Sequence, residues 1–272
     1  MTMKRVFKGL ALAAMVGLGV SIGVDFQPVQ WGAVGLRIDP IDKTTSAFKI
    51  VGADNIVKRT IVGQDFQAYF VEVTGQQPEE LWVRAFTQKG GSATDYIFTL
   101  EGGLRNIGVI DGKGSGVTAL EDLDEDGKAE IVMFGTPLTF MLGLKQSQSP
   151  FLTSVLGWDK LRFFDATAKY PKRVRTTILF HFYDFLRAVE QNDVDTQKAS
   201  ALGYYANSLQ IGEGRIAKAW LMRNAPKDLR RWLLDNESRM VNTFYTYPGC
   251  RVTITQTREL PIDFPSCTKE GR

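Results

Sequence analysis

The period of the apolar positions changes about halfway along the chain. Between about residue 30 and residue 135, apolar side chains come in short β-branched and aromatic runs. Ala68-Tyr69-Phe70-Val71-Glu72-Val73-Thr74 has the make-up of a strand, and Leu81-Trp82-Val83-Arg84-Ala85-Phe86-Thr87 repeats it. Gly75-Gln76-Gln77-Pro78 supplies a turn between them. Gln88-Lys89-Gly90-Gly91-Ser92 supplies the next, ahead of Tyr96-Ile97-Phe98-Thr99-Leu100. Ile107 to Ile110, Val117 to Leu120 and Ala129 to Phe134 continue the series. This spacing predicts an antiparallel meander.

From Pro171 the period becomes helical. Ile178, Phe182, Phe185, Leu186 and Val189 recur at helical spacing, and Phe180 and Tyr183 widen the apolar face, which predicts a helix buried on much of its circumference. Residues 193–209 and 214–223 fit two further helices. Asn224-Ala225-Pro226-Lys227-Asp228 reads as the start of a fourth, followed by Leu229, Trp232, Leu233 and Met240. Between the two regimes, 135–158 contains Pro137, Gly143, Pro150 and Gly157 and reads as a connection. Arg251-Val252-Thr253-Ile254-Thr255-Gln256-Thr257 returns to strand alternation, and no internal repeat is visible. The predicted class is α+β: a β-rich region over 25–145, a mainly helical region over 146–272, and a C-terminal strand.

Residues 1–24 fall outside this pattern. Lys4, Arg5 and Lys8 precede an apolar run from Gly9 to Val24, the layout of an export signal. The run is shorter than the roughly 20 residues of a membrane span. Gly19, Ser21 and Gly23 are small residues near its end, without an A-x-A-like triplet. An uncleaved anchor is the alternative. The chain totals 33 basic and 30 acidic residues. Three of the basic residues and none of the acidic ones lie in 1–24, so the remainder is neutral. Global charge therefore makes no case for nucleic-acid binding. Charge is unevenly spread along the remainder, with 11 basic and 17 acidic residues over 25–156 against 14 and 9 over 157–235. Cys250 and Cys267 are the only cysteines. In an oxidising compartment they would form a disulfide closing the tail, contributing about 3 kcal/mol.

The stretch with the most chemical content is Asp122-Leu123-Asp124-Glu125-Asp126-Gly127-Lys128-Ala129-Glu130. Acidic side chains at positions 1, 3, 5 and 9, with glycine at position 6, suit a hard cation with oxygen ligands, above all Ca²⁺. Asp122, Asp124, Asp126 and Glu130 would ligate through side chains and Lys128 through its carbonyl, its ammonium pointing away. An EF-hand would require Glu at position 12, which is Met133, within the apolar run Ile131-Val132-Met133-Phe134. A strand therefore follows the loop. The segment Ala119 to Gly135 resembles the calcium loop of FG-GAP/VCBS repeats, the blades of integrin-α-like propellers. The resemblance implies the same five ligands and one Ca²⁺. It covers about 17 residues and occurs once, so it extends to the loop and not to a propeller.

Other motifs carry less. Asp111-Gly112-Lys113-Gly114-Ser115-Gly116 fails the P-loop spacing, because Ile107 stands where the first glycine belongs. Ser115 is in no G-x-S-x-G elbow, and the segment reads as a hairpin turn. His181, the only histidine, lies between Phe180 and Phe182 and reads as a core residue bonded to a backbone group or Asp184. Lys172-Arg173-Val174-Arg175 reads as a solvated helix start, with an acidic partner, a phospholipid surface or the acidic half of the same chain as alternatives.

These features together predict an exported, non-catalytic, calcium-binding protein, periplasmic or extracellular, with an unidentified protein or envelope partner. One alternative is a cell-envelope hydrolase using carboxylates such as Glu72, Asp95, Glu101 or Asp111. Another is a membrane-tethered assembly component, should residues 1–24 remain attached.

Overall fold

In a computed structural model of the chain, residues 29–87, 93–111, 115–136, 144 and 148–246 are described. They fall into two units, Met1–Val62 and Gly63–Arg272. The signal segment, the predicted strand at 251–257 and both cysteines lie outside the described residues. Among the described residues, no helix is long and apolar enough to cross a membrane.

The first unit is one antiparallel meander: β1 (Val29–Trp31), β2 (Val34–Pro40), β3 (Ser46–Gly52) and β4 (Val57–Gly63), in that spatial order. Trp31, Leu36, Phe48 and Ile50 are buried in it.

The second unit opens with two more meanders of the same order. The first is β5 (Asp65–Val71), β6 (Glu80–Phe86), β7 (Ala93–Thr99) and β8 (Arg105–Asp111). The second is β9 (Ser115–Glu121), β10 (Glu130–Gly135), β11 (Leu152–Trp158) and β12 (Phe163–Asp165). One apolar cluster joins them, with Trp82, Ile97 and Ile110 from the first sheet and Ile131, Met133, Leu156 and Phe163 from the second. A buried polar contact reinforces it. Asp95 accepts from Arg84 Nε (2.7 Å) and Trp82 Nε1 (2.8 Å), and Arg84 donates to the Val117 carbonyl (2.8 Å). Strands β8 and β9 belong to different sheets. The expected hairpin within one sheet is not formed.

Four helices follow: α1 (Pro171–Glu190), α2 (Val194–Gln210), α3 (Gly214–Asn224) and α4 (Lys227–Thr246). Proline at the first position of α1 loses no hydrogen bond, because that N–H has no intrahelical partner. Asp193 caps α2 by accepting from the Thr196 N–H (3.1 Å). The helices share a core built on Phe185, Leu202, Tyr205, Leu221, Leu229 and Leu233.

The mixed α and β content, with antiparallel sheets first and helices after, is as the apolar pattern predicts. The segment 135–158 is not. Part of it is β11, and β12 lies beyond it, so the sheets extend to residue 165. Strand β11, Leu-Thr-Ser-Val-Leu-Gly-Trp, shows no alternation because it is buried on both faces. Its polar atoms are bonded internally. The Thr153 N–H donates to Asn207 Oδ1 (3.0 Å), and the Thr153 and Thr177 hydroxyls are 2.5 Å apart. Leu152 enters the helical core and Leu156 the sheet core, so this one strand joins the two.

Candidate metal centre

The acidic loop connects β9 to β10. Ladder partners Glu121 and Glu130 stand at its two ends, so the chain must reverse within eight residues. Glu125 (φ 63°) and Gly127 (φ 87°) supply the left-handed conformations this needs. Glycine adopts that conformation without cost. Glu125 does so because its neighbours hold it. The Asp122 carboxylate accepts the N–H groups of Asp126 (3.1 Å) and Gly127 (2.9 Å), folding the loop back on its first residue. Glu130 accepts the Leu123 N–H (3.0 Å) from the other side.

Neighbouring elements seat the loop. The Ala129 N–H donates to the Glu72 carbonyl (2.7 Å) just after β5. That segment is itself pinned by buried Glu80, which accepts from the N–H groups of Val73 (2.9 Å) and Thr74 (3.1 Å) and from the Thr74 hydroxyl (2.8 Å). At the start of α1, the Tyr170 hydroxyl donates to Asp124 Oδ2 (3.0 Å) and Arg173 Nε donates to Glu121 (3.0 Å).

One oxygen from each of Asp122, Asp124 and Glu130 lies within 4.8 Å of the other two. Calcium binds oxygen at about 2.3–2.6 Å, so oxygens on opposite sides of one ion stand about 4.6–5.2 Å apart. The three carboxylates stand close enough to share a single metal ion. The two remaining predicted ligands are placed differently. The Asp126 carboxylate pairs with the Lys128 ammonium (2.5 Å) and accepts the Lys128 N–H (2.9 Å). The lysine side chain does not point away. Its stem crosses Gly75, where an added Cβ would lie 2.9 Å from Lys128 Cε. Its ammonium also feels the charges of Asp124 and Glu130.

The electrostatics express burial at Glu130 and the ion pair at Asp126. Burial pushes the Glu130 carboxyl up from the ordinary range, and the charges of Asp124 and Asp126 push it further. The bond from Leu123 works against both. The hydrogen bond from Lys128 holds Asp126 below the ordinary range and holds the Lys128 ammonium above its own. Burial, then the bond to Asp124, raises the Tyr170 phenol. Chemically the cluster offers hard anionic oxygens to a cation.

Three of the carboxylates named for a hydrolase, Asp95, Glu72 and Glu101, have partners within the chain. Asp95 is locked to Arg84 and Trp82. Glu72 accepts the Gly75 N–H (2.7 Å) and the Gln77 amide (3.0 Å), and Glu101 pairs with Arg105 across 3.5 Å. Asp111 stands at the end of β8. His181 Nε2 is 3.0 Å from the Phe151 carbonyl, and burial lowers its pKa. The contact of Arg173 with Glu121 is the alternative in which the basic cluster meets the acidic half of the chain, whereas sequence reasoning missed Tyr170. The only local signal for Tyr170 is its position at a helix start. Comparison with protein-family models, with curated proteins and with solved structures finds no match to this chain.

Proposed function

We propose that this is an exported, non-catalytic protein stabilised by one Ca²⁺ held in the β9–β10 loop. The observation that carries this reading is the convergence of Asp122, Asp124 and Glu130 to within 4.8 Å, beside a loop already closed by its own hydrogen bonds. Asp126 and the Lys128 carbonyl would complete the shell once the Asp126–Lys128 pair opens, with waters supplying further oxygens. The FG-GAP/VCBS resemblance has a fitting context, since the loop joins the first two strands of a four-stranded antiparallel meander.

Bound calcium would offset the mutual repulsion of these carboxylates and fix the loop that Tyr170 and Arg173 tie to α1. The ion would thus clamp the last sheet to the helices and shape the surface they share. Export rests on the basic and apolar make-up of residues 1–24 and places the protein in the periplasm or outside the cell, with a protein or envelope component as partner. In that compartment Cys250 and Cys267 would close the tail as a disulfide.

Thermal unfolding with and without calcium tests this reading. At a hundredfold excess over Kd, binding stabilises by about 2.7 kcal/mol. That raises Tm by about 5–10 °C in a unit of this size. Asp124→Ala combined with Asp126→Ala should abolish the rise. A calcium-independent Tm in the unmutated protein would overturn the proposal.

A further inference from the structure

Helix α1 is not buried on much of its circumference as its apolar residues predict: its outward side is apolar yet exposed, where solvent should meet charge. Its inner side carries Val174, Ile178, His181, Phe185 and Ala188. On the opposite side Leu179 is 51 % exposed, Phe180 54 %, Tyr183 60 % and Leu186 36 %. Their spacing puts all four on one stripe about two turns long. Exposed charges bracket it, Lys172 before and Arg187 after, with exposed Glu190 at the last residue of the helix beyond the stripe. The carboxylate inside this span, Asp184, accepts from the Ser200 hydroxyl (2.8 Å), and Arg175 is paired with Glu213. The neighbouring helix α3 adds exposed Ile216 between Arg215 and Arg223, and 157–235 as a whole is basic. A contiguous apolar stripe of this kind marks a surface that something covers.

The charges narrow what covers it. Pairing α1 with α1 of a second copy sets basic ends together when parallel. When antiparallel it sets Lys172 beside Arg187 and Glu190. Neither arrangement gains net attraction. A partner helix could enter the open groove of about 370 Å³ lined by Ile178, Leu179, Phe182, Tyr204 and Trp220. That occupant would reach Leu179 but leave Phe180, Tyr183 and Leu186 uncovered, since none of them lines the groove. A flat anionic surface covers all four while Lys172 and Arg187 extend to its charges. We propose that the outward face of α1 docks on an anionic lipid surface, with the helix lying in the interface plane. This stands apart from the calcium loop.

The test is co-sedimentation of the full chain with vesicles, in EDTA so that the loop takes no part. One vesicle set is phosphatidylcholine with phosphatidylglycerol, the other phosphatidylcholine alone. The proposal expects binding to the first set and at least tenfold weaker binding to the second. Leu179→Glu with Tyr183→Glu should abolish binding while circular dichroism stays unchanged. Lys172→Gln with Arg187→Gln, which leaves the stripe intact, should weaken it by about fivefold per residue. Three results would overturn the proposal. One is no sedimentation with anionic vesicles. Another is binding that survives both double variants, which would assign it to residues 9–24. The third is a dimer in sedimentation velocity that Leu179→Glu with Tyr183→Glu breaks, which would assign the stripe to a second copy.

Discussion

Gly203 sits in the interior of α2, where glycine is ordinarily a weakness. Replacing an interior helical glycine by alanine stabilises by about 1 kcal/mol through backbone entropy. Here the sign should invert. A Cβ at Gly203 would lie 2.6 Å from His181 Cγ and 2.7 Å from Cδ2 and Cε1, well inside contact distance. The ring has nowhere to go. Its Nε2 is held at the Phe151 carbonyl (3.0 Å), and the Phe151 and Phe180 rings stand 4.7 and 5.4 Å from it. Overpacking of this kind costs about 1–3 kcal/mol. Displacing the ring also breaks its buried hydrogen bond, worth about 1 kcal/mol. After the propensity gain, Gly203→Ala should lose about 1–3 kcal/mol, a Tm drop of about 2–4 °C per kcal/mol. Chemical unfolding followed by circular dichroism measures it. A double-mutant cycle isolates the cause, because in a His181→Ala background the same substitution should be neutral or stabilising. If Gly203→Ala stabilises the otherwise unmutated protein, the packing account of the α1–α2 contact is wrong.

Two further perturbations probe the scaffold and the loop. Asp95→Ala strands the partly buried Arg84 guanidinium and the Trp82 indole N–H. It should cost about 3–5 kcal/mol in thermal unfolding, whereas Arg84→Met with Asp95→Leu should recover most of that loss. Glu130 titrates above its ordinary 4.5 in the folded chain, so its contribution to stability is full below about that pH and is lost as pH rises through the raised native value. In EDTA, Glu130→Gln should therefore be more stable than the unmutated protein at pH 7, the gap closing near pH 4. Equal gaps at both pH values would contradict the burial of that charge.

The helices were legible because their apolar faces are local and periodic. The strands β5 to β10 were legible from β-branched and aromatic runs between turns. Strand β11 was not, because burial on both faces removes alternation and its Thr153 is satisfied by Thr177 and Asn207, which lie far along the chain. The three meanders share one strand order without a sequence repeat, since hydrogen bonding between backbones sets that order and many side chains satisfy it. The candidate site was legible for the same reason as the helices, all its carboxylates lying within nine residues. What anchors it was legible only as the alternative that the basic cluster at Arg173 meets the acidic half of the chain, without the residue it meets. Tyr170 meets Asp124 across 46 residues and Arg173 meets Glu121 across 52. Nor does spacing reveal that Lys128 turns onto Asp126, because that depends on the Gly75 surface its stem crosses.

Calorimetric titration of Ca²⁺ into chelator-treated protein tests the central claim most directly. The account predicts one ion per chain, and no binding in a variant carrying Asp122→Asn, Asp124→Asn and Glu130→Gln. Absence of a binding heat in the unmutated protein, or the same stoichiometry in the variant, would contradict it.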